Sequence, residues 1–223
     1  MFFQDKILAI RPGDRVLEIG PGATPHPRSD VFLELAFESE ESRLAQRGGG
    51  ELDADFSHRP VFHYDGHRFP FDDCEFDYVI CSHVVEHVDE PQTFMQEVFR
   101  VGQGRGYLEY PLITYEYLYS FTVHQHFVKF DSDRRVLMYM PKLSSSLDTF
   151  APVQRLFYQS LALGWDDLCS AHKHLFFEGF EFEQPFAVHP TSRLEDLCPP
   201  IDVIEPKRPL RRLVGRLANK IGI

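Results

Sequence analysis

Apolar residues along this chain come in short runs, each closed by glycine, proline or acid. Arg15-Val16-Leu17-Glu18-Ile19 runs into Gly20-Pro21-Gly22. The run 31–35 carries the acid Glu34 at its end, 61–64 is followed by Asp65-Gly66, and 76–81 opens onto Ser82-His83. A fifth run, 107–110, is stopped by Pro111. Runs this short, bounded by turn residues, predict buried strands. Residues 2–10 place Phe3, Ile7, Leu8 and Ile10 roughly on one face and predict a short amphipathic helix broken at Pro12-Gly13. Residues 82–88 are expected to start a short helix. Pro91 suits the first turn of a second one reaching Val101, which Gly102, Gly104 and Gly106 end. The order of strands and connections predicts an α/β fold with an open, mainly parallel sheet and flanking helices.

Between Gly22 and Val31 the chain reads Ala-Thr-Pro-His-Pro-Arg-Ser-Asp. Two prolines spaced by one residue are hostile to a helix interior, so this first crossover is abbreviated. Beyond Pro111 the texture changes. Residues 112–121 are aromatic-rich, and 126–130 and 135–140 flank Asp131-Ser132-Asp133 as a hairpin. Residues 152–178 read as broken helix interrupted at Gly164, and 180–188 as a further strand. The expected organisation is a core over 1–142, an extension over 143–205 packed on it, and a tail over 206–223.

Four strand ends deliver polar groups to one edge, which is where an open α/β sheet binds its ligand. Gly20 and Gly22 let backbone amides approach a ligand, Glu34 is placed to accept from ribose hydroxyls, and Asp65 to accept from an adenine amino group. A nicotinamide dinucleotide wants Gly-x-Gly-x-x-Gly and a helix N-terminus for its diphosphate. Here the third glycine position is Pro25 and no helix follows. S-adenosylmethionine carries no phosphate and does not need that helix.

The sequence resembles the class I S-adenosylmethionine-dependent methyltransferases. The resemblance rests on residues 16–22, Glu34, Asp65-Gly66-His67-Arg68-Phe69-Pro70-Phe71-Asp72-Asp73 and the stretch from Phe76 to Val88, which includes Glu86-His87-Val88. It covers roughly residues 14–142 and implies a Rossmann-like fold. The Pro-His-Pro-Arg loop and residues 105–111 look like a bacterial subgroup found among sugar- and polysaccharide-related genes. By matching position, the resemblance implies that Gly20 and Gly22 contact the methionine portion of S-adenosylmethionine and Glu18 orients its amino group. Glu34 holds the ribose and Asp65 the adenine amino group. Gly66 and His67 line the adenine slot, and Ser82 and His83 sit beside the reactive end.

The implied activity is methyl transfer to an oxygen of a sugar, glycan-related or other small-molecule acceptor. The alternative from another class is a non-catalytic S-adenosylmethionine-binding or scaffold protein of a biosynthetic complex. His124 and His126 lie where a substrate lobe often begins, and an imidazole is suited to removing a hydroxyl proton near neutral pH. His83-Val84-Val85-Glu86-His87 also matches a bare zinc-protease pattern, but no third ligand follows it in sequence, so no metal is assigned.

Charge refines the picture of partners. The net charge of −11 argues against nucleic acid as the main partner. Residues 206–223 hold Lys207, Arg208, Arg211, Arg212, Arg216 and Lys220 and no acid, with Leu210, Leu213, Val214, Leu217 and Ile221 at helical spacing. That basic amphipathic pattern, over 207–223, fits a peripheral membrane contact or a protein partner. The four cysteines are widely spread and the start lacks the order of a secretory signal, so a reducing, cytoplasmic setting is expected, with the tail allowing membrane association.

Overall fold

The computed structural model describes residues 1–37, 39 and 56–199. A six-stranded sheet organises it: β1 (Val16–Ile19), β2 (Val31–Leu35), β3 (Val61–Tyr64), β4 (Tyr78–Ser82), β5 (Gly106–Pro111) and, later in the chain, β8 (Phe177–Phe182). Their spatial order is β3-β2-β1-β4-β5-β8. The first five are parallel, and β8 runs antiparallel to β5. The chain moves outward from β1 to β2 and β3, then returns to the other side of β1 for β4. That reversal opens a crevice at the carboxyl end of β1, as expected of a doubly wound sheet. The sheet and its connections make the Rossmann-like fold that the strand order predicts.

Burial explains the strand runs. Val16, Leu17 and Ile19 are all inaccessible or nearly so, as are Val79, Ile80 and Cys81 opposite them. A central strand covered on both faces reads as a nearly continuous apolar run, here broken in β1 only by the buried Glu18. Helix α1 (Pro91–Val101) begins with proline at its first turn and buries Phe94, Met95, Val98 and Val101 against the sheet. Their spacing of three and four residues puts them on one face.

Downstream, α2 (Ile113–Tyr119) leads into the hairpin β6 (His126–Asp131) and β7 (Val136–Pro141). The Asp131 carboxylate accepts from the amides of Asp133 and Arg134 and closes its turn. A second sheet, β6-β7-β9, is completed by β9 (Ala187–Pro190), parallel to β7. It packs on the first sheet through aromatic rings, with Phe130 stacked on Phe180 at 4.1 Å. Helices α3 (Ala151–Ser160) and α4 (Asp166–Ala171) are joined by one π-turn containing Gly164 at φ +98°, the interruption expected there. No helix among the described residues is long and apolar enough to cross a membrane.

Three local expectations change. Residues 2–10 form only one 3₁₀ turn, Gln4–Lys6. Their amides are captured by side chains instead: those of Phe2 and Phe3 donate to Glu109, those of Leu8 and Ala9 to Glu181. Of residues 82–88, Ser82 ends β4 and the rest make bends and turns rather than a helix. His83 sits at φ +57°, and the Glu86 carbonyl accepts from the amides of Gln125 and His126 at the start of the hairpin. The single strand expected over 180–188 is two strands, β8 and β9, in different sheets. Strand β8, which lies beyond residue 142, is a member of the first sheet. Residues 48–50, read as a flexible connection, and the tail over 206–223 lie outside the described residues.

Candidate functional site

The glycine turn after β1 is shaped by two left-handed residues, Gly20 at φ +59° and Gly22 at φ +60°. A Cβ on Gly20 would stand 2.7 Å from Cγ2 of Val84, while one on Gly22 would meet nothing within 4 Å. The turn therefore packs on the β4 loop on one side and faces open space on the other. The proline link behind it is closed by Glu18. That carboxylate is 2% exposed and accepts from the His26 amide at 2.8 Å and the Ser29 hydroxyl at 2.6 Å. Burial pushes its pKa up, against these hydrogen bonds. Arg59 completes the closure, donating to the carbonyls of His26 (3.3 Å) and Ser29 (2.8 Å) while its guanidinium lies over the Phe32 ring. A side-chain lattice thus replaces the helix that usually follows such a turn.

The turn opens into a cavity of about 620 Å³ at the carboxyl edge of the sheet. Glu18, Gly20, Gly22, Glu34, Asp65, Gly66, Ser82, His83 and His124 all line it. These residues come from the ends of four adjacent strands and the segment before the hairpin. His67 and His126 do not line it. His67 is exposed, and its amide donates to Asp65 Oδ1 at 3.1 Å. His126 is 5% exposed inside the hairpin, with its ring edge-on to Tyr139 at 5.4 Å. That burial takes its ring away from an acceptor in the cavity.

One end of the cavity is aromatic. Phe2, Tyr115, Phe121 and Phe177 line it, with Phe2 stacked on Phe177 at 3.8 Å and Phe121 stacked on His124. Glu109, wholly buried on β5, organises this end. It accepts from the amides of Phe2 (2.7 Å) and Phe3 (3.0 Å), from Ser82 Oγ (3.1 Å) and from Tyr107 Oη (2.5 Å). His83 Nε2 joins it at 2.9 Å. Burial opposes the charge on Glu109, yet His83, Tyr107 and the Phe2 amide hold its pKa down to about 2. Burial likewise opposes a charge on His83, but its hydrogen bond to Glu109 and the nearby Glu86 carboxylate push its pKa up to about 9.

Three further groups acquire their surroundings only in the fold. Glu86 is fully buried, and neither of its carboxylate oxygens has a hydrogen-bond partner. Its nearest cationic neighbour is His83 Nδ1, 3.3 Å from Oε1. His87 lines the cavity, its pKa lowered by burial to about 4. Glu116, also buried, engages His124 Nδ1 and is itself held by Lys142 Nζ at 2.7 Å. The cue to Glu86 and His87 was the His-x-x-Glu-His string. Their partner His124 comes from a distant segment that only the fold brings in.

The sequence profile of a family described as a methyltransferase domain matches residues 39–109. That stretch contains Asp65, Gly66, His67, Ser82, His83 and Glu109, and ends before the hairpin. Among solved structures, the chain is similar to the YcgJ protein of Bacillus subtilis (25% identity, 47% of each chain, TM-score 0.33). It is also similar to a possible histamine N-methyltransferase of Thermotoga maritima (21% identity, 49% of each chain, TM-score 0.33). A putative methyltransferase of Bacillus halodurans is a third (22% identity, 48% of each chain, TM-score 0.33). The chain spans about half the length of these structures. No curated protein matches it. Residues 39–109 thus match the profile of a methyltransferase domain.

Proposed function

We propose that this protein transfers a methyl group from S-adenosylmethionine to an oxygen of a sugar, glycan-related or other small-molecule acceptor. The observation that carries the reading is the convergence, on one cavity, of the left-handed glycine turn, the two strand-end acids and the His83/His124 end.

The residues fit the cofactor on chemical grounds. The open side of Gly22 and the amides of the turn suit a carboxylate. Glu34 at the end of β2 offers acceptors to ribose hydroxyls, and Asp65, exposed after β3, to an exocyclic amine. Glu18 is a positioning residue: its carboxylate holds the 25–29 link and so the shape of the turn. When bound, the cofactor supplies an electrophilic methyl group on a sulfonium, which the acceptor oxygen takes up with one of its electron pairs as the carbon–sulfur pair returns to sulfur.

The remaining work falls to the chain itself. Phe2, Tyr115, Phe121 and Phe177 form apolar walls that exclude water and orient the acceptor's flat faces. Holding two reactants at near-attack distance supplies much of such a reaction's rate. His124, its ring fixed by Glu116 at Nδ1, presents Nε2 as the group that takes the acceptor's hydroxyl proton. His126 is not part of this proposal. Association of residues 207–223 with an anionic membrane or a partner protein rests on the sequence pattern alone.

The experiment is methyl transfer from radiolabelled S-adenosylmethionine to a panel of hydroxyl-bearing glycans and small molecules. Labelled product with the wild type, and a large loss of turnover in His124→Ala with cofactor affinity kept, supports the reading. Cofactor binding with no product across the panel would favour a binding or scaffold role.

A further inference from the structure

We propose that Glu86, His87 and His124 form a site for a divalent transition-metal ion at the aromatic end of the cavity. One donor atom from each residue lies within 4.8 Å of the others. A small cation between them would bring each to ligand distance after modest side-chain adjustment, since zinc-type ions bind nitrogen and oxygen at about 2.0–2.2 Å.

Four further observations point the same way. The first is Glu86 itself, a wholly buried acid whose two oxygens lack hydrogen-bond partners and whose ion-pair contacts, His83 Nδ1 at 3.3 Å and His87 Nε2 at 3.9 Å, both fall on Oε1. Buried carboxylates are normally paired, hydrogen-bonded or bound to metal. The second is His87, whose Nδ1 is also buried without a partner and whose Nε2 lies 3.9 Å from Glu86 Oε1. The third is the support behind His124: Glu116 engages its Nδ1, and Lys142 anchors Glu116. Metal-bound histidines usually carry such a carboxylate on the other ring nitrogen, because it fixes the tautomer and raises ligand basicity. Coordination then falls to Nε2 of His124. The fourth is access. His87 and His124 line the cavity with their rings 4.5 Å apart, so the positions left open on the ion face the space an acceptor would fill.

Two imidazoles and one carboxylate select zinc, cobalt or manganese over magnesium or calcium, which prefer all-oxygen sets. Three protein ligands with an open position is the form of a catalytic rather than a structural site. Only the role of the ion rests on the methyltransferase reading. With the ion in place, an acceptor hydroxyl bound to it loses its proton to water more readily. With the ion bound, Nε2 of His124 is its ligand, and the base role given to His124 above applies to the metal-free protein.

The test is metal uptake by the full chain, dialysed against zinc and, separately, cobalt, with metal per chain measured by mass spectrometry. One ion per chain is expected. His87→Ala and His124→Ala should lose it, and Glu116→Gln should bind roughly 10–100-fold more weakly, the usual cost of losing such a supporting carboxylate. His189→Ala, on the exposed part of β9, should bind as wild type. The cobalt form should show visible bands of nitrogen and oxygen ligation. A thiolate band would place the ion on a cysteine and overturn the proposal. So would a wild type that retains no ion, or uptake unchanged in the three variants. If a variant fails to fold by circular dichroism, the wild-type stoichiometry and cobalt spectrum still decide. Affinity for S-adenosylhomocysteine is measured in parallel. Metal uptake without it sinks the methyltransferase reading and leaves the site standing, and the reverse sinks the site alone.

Discussion

Glu109→Gln removes the buried charge behind the aromatic end of the site while keeping its shape. Five donors converge on that carboxylate: two amides, two hydroxyls and the His83 ring. A glutamine replaces one acceptor oxygen with a donor. If the new amine faces Oε2's partners, Tyr107 can turn its hydroxyl to accept, but the Phe3 amide cannot. An unsatisfied buried amide costs about 1–3 kcal/mol. The charge can be weighed separately. A pKa held at about 2, against roughly 4.3 in an unfolded chain, corresponds to about 3 kcal/mol. The two figures describe overlapping losses and are not added, so the expected destabilisation at pH 7 is about 3 kcal/mol. For a chain of this size that lowers Tm by roughly 6–12 °C.

The sign of the pH dependence follows from a depressed acid. The stabilisation is fully present above about pH 4.3 and is lost as pH falls toward the folded value. Urea titrations of both proteins from pH 6.5 down to 3 should therefore show the gap narrowing below about pH 4.3. A gap under about 1 kcal/mol at pH 7, or one that stays constant down to pH 3, would refute the role given to Glu109. The variant should also bind S-adenosylhomocysteine more weakly, because Phe2 and His83 lose their anchor.

Other perturbations separate the parts of the first turn. Gly20→Ala and Gly22→Ala both place a side chain in the left-handed region, at about 1–2 kcal/mol each. Only the first also meets Val84, so calorimetric melts should rank Gly20→Ala as clearly the less stable. Arg59→Ala removes the closure of the 25–29 link and should cost about 1–2 kcal/mol in urea, with a matching fall in cofactor affinity that Gln103→Ala does not share. Burial, together with Arg28, holds the His26 pKa below its ordinary value. The folded state therefore binds fewer protons, and stability is lost as pH falls through about 6.5. His26→Gln should flatten that part of the urea midpoint profile between pH 7 and 5, and an unchanged slope would remove His26 from the account.

The strands were legible because burial on both faces leaves a mostly apolar run, broken only by Glu18 in Val16–Ile19 and by Glu34 in Val31–Leu35. Helix α1 was legible from its proline start. Local pattern failed where distant side chains took over backbone groups. The apolar spacing of residues 2–10 is helical, yet Glu109 and Glu181 capture the amides on either side of the 3₁₀ turn Gln4–Lys6. Turn geometry at His83 likewise overrode the helix expected over 82–88. The glycine turn, Glu34, Asp65 and His83 could be found because each follows an apolar run at the same sheet edge. Glu116, and the approach of His124 to Glu86 and His87, could not, because no spacing within one segment encodes them. Glu18 was legible as an acid of the site, while its bonds to His26 and Ser29 show how a proline-rich link closes without a helix.

The central claim is that the cavity at the carboxyl edge of the sheet binds S-adenosylmethionine through the strand-end groups. Calorimetric titration of the full chain with S-adenosylhomocysteine, beside Glu34→Gln, Asp65→Asn and Gly20→Ala, tests it most directly. The account predicts one site per chain, no heat with NAD, and weaker binding in all three variants. No binding of S-adenosylhomocysteine, or equal affinity in wild type and variants, would contradict it.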